Sequence, residues 1–237
     1  MKYKVYKQST NYTCGPASYL TALINNKISI TELKNLSKKP DLYLHEIGRI
    51  KPALISLSPS FIKYENHLKK KKILSSKNIK IEKIYSTGKI RENSDAKYII
   101  LFFELGEKMN YNSNNWKEIG KKINSSKTGK SFWKKFKKKY EKGLKNSKTI
   151  KLSIDRFLKL IESLEPPYAI LIKTIYKMGK RIVPVPHWVF IAKKNRYLIV
   201  CDPSTGKAEK IIVRKMKSNI LELYKIGFPA EIVKFNC

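Results

Sequence analysis

Gln8-Ser9-Thr10-Asn11-Tyr12-Thr13-Cys14-Gly15-Pro16-Ala17-Ser18 is the stretch from which the rest of the chain is read. From Cys14 onward it has the marks of a helix start. Gly15 permits a tight turn, Pro16 suits an early helical position, and Ala17, Leu20, Leu23 and Ile24 recur at helical spacing before Asn25-Asn26 ends the pattern. A cysteine at the mouth of a helix meets unpaired backbone N–H groups and the positive end of the macrodipole, and both favour the thiolate. Gln8 precedes it at a distance that lets a side-chain amide return beside the sulfur and donate to a developing oxyanion. A small residue buried at a helix start, with Gln8 a surface amide, reads the same way. A partner histidine has to decide between them.

The remaining composition narrows the class. No apolar run approaches the roughly 20 residues that span a bilayer, and Met1-Lys2-Tyr3-Lys4-Val5-Tyr6-Lys7 has charge without the apolar core of a secretory signal. Cys14, Cys201 and Cys237 are too few and too scattered for a disulfide framework or a cysteine-rich zinc site, so a cytoplasmic, metal-free and cofactor-free protein is expected. The 51 basic residues against 18 acidic ones give a formal charge of +33, a field that attracts polyanions. Nearly all of the surplus is lysine. That favours diffuse contact over base readout by arginine forks, and a composition biased toward lysine accounts for the same numbers.

Along the chain, Ser29-Ile30-Thr31-Glu32 has capping-box spacing, and Leu42–Ile50 reads as a further short helix. His45 and His67 lack further ligands at metal spacing and read as surface residues. Ile79–Tyr85 alternates like a strand, and the apolar run Tyr98–Leu105 reads as an interior strand. Asn110, Asn112, Asn114 and Asn115 mark a loop, and Trp116–Ile123 suits one or two helical turns. Phe132, Phe136, Tyr140 and Leu144 form one helical stripe among lysines, the pattern of a surface helix packed inward or of a basic helix lying on anionic lipid or nucleic acid. Ser126–Ser131 imitates the end of a phosphate-binding loop, but Asn124 stands where its first glycine belongs and no apolar strand leads into it. Ile154, Phe157, Leu158, Ile161 and Leu164 predict an amphipathic helix, Tyr168–Tyr176 a strand, and His187–Ala192 with Tyr197–Asp202 a hairpin. Ile211–Val213 and Ile232–Phe235 suggest edge strands. Helices followed by a mostly antiparallel sheet make an α+β fold, one domain over 1–237 with a lysine-rich insert at about 60–150.

The hairpin supplies the histidine. A turn centred on Lys194-Asn195 sets His187 directly across from Asp202, side chains on one face. Asp202 then fixes the tautomer and leaves the other ring nitrogen for the thiol of Cys14. Trp188, Phe190, Ile199 and Cys201 point to the opposite face, which makes Cys201 a core residue. A satisfied strand-end histidine and a turn aspartate are the alternative reading; Cys14, Gln8, His187 and Asp202 occurring together argue against it.

Gln8 and Cys14-Gly15-Pro16-Ala17, then Pro186-His187-Trp188-Val189, then Cys201-Asp202-Pro203, resemble the papain-like cysteine peptidases of the bacteriocin-leader-processing (double-glycine) type, in particular the stand-alone branch without transporter domains. The resemblance covers roughly residues 1–55 and 150–210. It implies a papain-like fold with Cys14 as nucleophile, His187 as general base, Asp202 as its orienter and Gln8 in the oxyanion hole. The lysine-rich middle and the charge depart from that pattern. The expected activity is hydrolysis of a peptide or amide bond in a peptide or protein substrate, an acidic one if the field steers it. Acyl transfer to an amine by the same triad, and a non-catalytic polyanion-binding protein on the same fold, are the alternatives; the oligomeric state is open.

Overall fold

The computed structural model describes residues 3–51, 53–74, 79–88, 90–91, 94–108, 121, 126–178 and 181–236. In chain order they form α1 (Cys14–Ile24), α2 (Ile30–Lys34), α3 (Pro40–Gly48), α4 (Ser58–Lys70), β1 (Lys80–Ser86), α5 (Ser94–Lys108), α6 (Ser126–Gly143), β2 (Thr149–Lys151) and α7 (Ile154–Ser163). Then follow β3 (Tyr168–Met178), β4 (Arg181–Lys194), β5 (Tyr197–Asp202), β6 (Lys207–Ile211), α8 (Val213–Lys225) and β7 (Glu231–Asn236). The seven strands make one sheet in the order β2-β1-β7-β3-β4-β5-β6. Every neighbouring pair is antiparallel except β1 with β2. The chain is therefore α+β.

Strand alternation sends each half of the sheet's side chains into its own core. Leu171, Trp188, Phe190, Cys201, Val233 and Phe235 meet the helices from the first part of the chain, with Leu20 and Leu23 of α1 among them. Ile170, Ile172, Val189, Ile191 and Ile232 meet Phe157 and Ile161 of α7 and Met216 and Ile220 of α8. Helices thus cover both faces. All of α1 is buried; Ser18 donates to Trp188 O at 3.0 Å and Thr21 to Ala17 O at 2.9 Å, while the Tyr19 hydroxyl has no hydrogen-bond partner among the described residues. The Ser29–Glu32 capping box forms as read, with Glu32 N donating to Ser29 Oγ and Ser29 N to Glu32 Oε2.

Several expectations change. Tyr98–Leu105 is not a strand but lies inside α5, where Ile99, Ile100, Leu101, Phe102 and Phe103 are all buried. An apolar run covered on every side carries no period to tell helix from strand. Val213 opens α8 rather than ending a strand; Met216, Ile220 and Leu223 give its buried face at helical spacing, masked in the sequence by the β-branched run before it. Ile232–Phe235 is an interior strand between β1 and β3. His45 is fully buried. Segment 60–150 supplies β1 and most of β2 to the sheet and Trp133, Phe136 and Tyr140 to the core. Ser126–Ser131 is helical. The loop and turns expected over 110–120 and 122–123 lie outside the described residues, as does Cys237.

Candidate active site

Two anchors aim the start of α1 at β4. The first is a buried carboxylate. Asp41, in the first turn of α3, accepts from Ser9 N (2.7 Å), Ser9 Oγ (2.9 and 2.8 Å to its two oxygens), Thr13 Oγ1 (2.7 Å) and Tyr6 OH (3.3 Å). These bonds lock the loop that carries Cys14. They also divert the hydroxyl of Thr13, the N-cap residue of α1, so that no side chain caps the helix. The leading N–H groups stay available to a ligand, and Pro16 removes one that would otherwise be orphaned. The second anchor is Gly15. Its conformation needs no glycine; the space does. A Cβ there would lie 2.8 Å from Ser56 Cβ and 3.3 Å from Trp188 Cδ1, so glycine lets α1 press against the 53–57 segment and β4.

His187 and Asp202 meet, though in a different register from the expected one. The turn is centred on Asn195-Arg196, with Phe190 opposite Cys201 and Lys194 opposite Tyr197. Asn195 takes the left-handed conformation (φ 54°) that a two-residue hairpin turn requires. The displacement is an even step, so both side chains keep their shared face and become diagonal rather than direct neighbours. The β4–β5 ladder ends at Phe190–Cys201, and Asp202 continues in register with Lys207 of β6. His187 Nε2 lies 2.8 Å from Asp202 Oδ1. Ser204 N and Oγ donate to the same oxygen at 2.8 and 2.7 Å, fixing the carboxylate from behind.

With Nε2 held, Nδ1 is the nitrogen left for the thiol of Cys14. Burial disfavours the imidazolium of His187, but the hydrogen bond to Asp202, the hydrogen bond and charge of Cys14 and the charge of Asp202 outweigh it and lift the group to about 9. Burial likewise opposes the charge on Asp202, yet the hydrogen bond and charge of His187 and the bonds from Ser204 bring it down to about 2. The pair is an imidazolium–carboxylate at neutral pH. Cys201 is fully buried, and burial pushes its thiol up to about 12.

Gln8 sits on the neighbouring loop but does not reach His187 or Asp202. Its backbone N–H donates to Pro203 O at 2.9 Å, tying this loop to the turn after Asp202. Its side-chain Nε2 donates to Thr10 O at 2.7 Å. One amide N–H is thereby committed to orienting the group and the second is not. The structure thus brings Cys14, His187 and Asp202 together and places Gln8 beside them.

Beside Cys14 lies a small cavity of about 20 Å³, walled by Tyr12, Ser56, Phe103, Leu171 and Trp188. That is room for one water or a main-chain atom, not a side chain. Asp41, Ser56, Ser204 and Phe103 escaped the sequence reading. Each acts through the fold rather than through a motif, and only the Asp202-Pro203-Ser204 turn carried a local signal. Behind the cavity, His45 Nδ1 contacts Ser56 Oγ at 3.2 Å and Ser56 Oγ contacts Tyr64 OH at 2.8 Å. No group of three or more His, Cys, Asp or Glu that could hold a metal occurs among the described residues, and no described helix is long and apolar enough to cross a membrane. Comparison with protein-family models, curated proteins and solved structures returned no match.

Proposed function

We propose that the chain is a papain-like cysteine peptidase, a thiol hydrolase that cleaves a peptide or amide bond. The observation that carries this reading is His187 held at 2.8 Å by Asp202 while its other partner is Cys14. An imidazolium at an uncapped helix start sets positive charge beside the Cys14 sulfur. Cys14 Sγ attacks the carbonyl carbon, and the N–H of Cys14 with the second N–H of Gln8 receives the oxyanion. His187 gives its proton to the leaving amine, then takes one from the water that opens the thioester. Asp202 holds the ring throughout without titrating.

The test is iodoacetamide labelling read by peptide mass spectrometry at pH 6, with Cys201 as internal control. Cys14 is expected to react fast in the wild type and slowly in His187→Ala, while fully buried Cys201 stays slow in both. Equal, slow labelling of both cysteines in the wild type would overturn the proposal.

A further inference from the structure

The lysines of α6 are arranged in a way that the thiol site does not use. Trp133, Phe136, Tyr140 and Leu144 are buried, whereas Lys134, Lys135, Lys138, Lys139, Lys142 and Lys145 are exposed on the opposite side. None of these six lysines is in an ion pair among the described residues. Elsewhere some lysines are paired: Lys217 with Glu162 at 2.6 Å, Lys193 with Glu165 at 2.7 Å, Lys173 with Glu222, and Lys69 and Lys148 with Glu65 at 3.2 Å each. On α6 the unneutralised charge therefore collects on one face of the helix. Lys63 of α4 extends it, because its ammonium is shifted down, first by desolvation and then by the charges of Lys139 and Lys51. Like charges converge there instead of spreading.

The geometry of the face selects its ligand. A membrane-lying helix must offer apolar residues to the bilayer, and here the apolar stripe is spent on the core. Single strands need exposed aromatic platforms, and the exposed positions here are lysines. From Lys134 to Lys142, five exposed ammoniums occupy a rise of about 12 Å, one per roughly 2.4 Å. An extended acidic peptide presents one side chain to a given face every ~6.6 Å. Duplex nucleic acid presents one phosphate per ~1.7 Å of axis. Lysine, a point charge without a fork, suits phosphate contact and not base reading. We propose that the lysine face of α6, extended by Lys51 and Lys63, docks the sugar–phosphate backbone of a nucleic-acid duplex without sequence preference. This surface is independent of Cys14 and of the hydrolase reading.

The test is fluorescence anisotropy of the full chain with a labelled duplex of about 20 base pairs, titrated at several salt concentrations. Five phosphate contacts predict an affinity loss of about 500-fold between 50 and 200 mM salt, from a slope of ~0.9 per contact. The triple variant Lys134→Gln/Lys138→Gln/Lys142→Gln should flatten that slope by about 2.7. Removing the same charge elsewhere, by Lys207→Gln/Lys210→Gln/Lys215→Gln, should leave it as in the wild type. Glutamine keeps helix propensity on an exposed face, and circular dichroism checks that both variants fold. Equal weakening in the two variants would make binding a property of total charge and overturn the proposal. So would tighter binding, at 150 mM salt, of polyglutamate or of phosphatidylserine vesicles than of the duplex.

Discussion

Replacing Asp202 by Asn separates the electrostatics of the candidate dyad from its packing, because the two side chains have nearly the same shape. His187 is raised from 6.5 to about 9, with burial opposing and Asp202 and Cys14 prevailing. A folded pKa above the unfolded one contributes stability that is fully present below the unfolded value, near 6.5, and is lost as pH rises through about 9. At ~1.36 kcal/mol per pH unit, the interaction is worth about 3 kcal/mol at pH 6 and close to nothing at pH 9.5. Cys14 supplies part of it, so Asp202→Asn should cost about 2 kcal/mol at pH 6. Urea unfolding at both pH values measures the cost, and the imidazole proton resonances of His187 report its titration directly. In the variant, His187 should titrate clearly lower than in the wild type. A loss of stability equal at pH 6 and pH 9.5, or an unchanged titration of His187, would refute the reasoning.

Three further outcomes are expected. Gly15→Ala places a methyl group 2.8 Å from Ser56 Cβ and should destabilise by about 1–3 kcal/mol; adding Ser56→Gly should recover much of it in a double-mutant cycle read by thermal melting. His45 is lowered to about 4, by burial first and then by Arg49, with Asp41 opposing. Its contribution is therefore present above pH 6.5 and lost on acidification toward pH 4, about 3 kcal/mol in all, and acid unfolding of His45→Gln should lack that step. Glu231 accepts from Ser58 N, Ser58 Oγ and Tyr140 OH, and burial, opposed by these bonds, leaves its carboxyl raised. A raised carboxyl loses its contribution as pH rises, so Glu231→Gln should gain stability relative to wild type on going from pH 5 to pH 8, measured by urea unfolding.

The parts of the fold legible in the sequence are those whose signal is local. The α1 start, the Ser29 cap and the strand period around His187 and Asp202 depend on neighbours a few residues away. The shared face of His187 and Asp202 survived a wrong turn position because a shift by an even step preserves side-chain parity. What stayed hidden depends on distant chain. Nothing near Asp41 indicates that Ser9, Thr13 and Tyr6 converge on it, and nothing near Phe103 indicates that it walls the cavity beside Cys14. His45 reads as a polar surface residue until the fold encloses it with Tyr12, 4.9 Å between rings, and Ser56. The run 98–105 is ambiguous for a different reason, since complete burial erases the period that distinguishes helix from strand.

The position of β7 bears on how the molecule comes into being on the ribosome. Of the seven strands it is synthesised last, yet it joins β1 to β3. Without Glu231–Asn236, the pair β2-β1 and the run β3-β4-β5-β6 would be two separate β-ribbons, each with an open edge at the seam. Such edges are templates for pairing with other chains. The sheet, and with it the core that seats α1 against β4, is complete only with β7 in place, so the surroundings of Cys14 depend on the strand that lies farthest from it along the sequence.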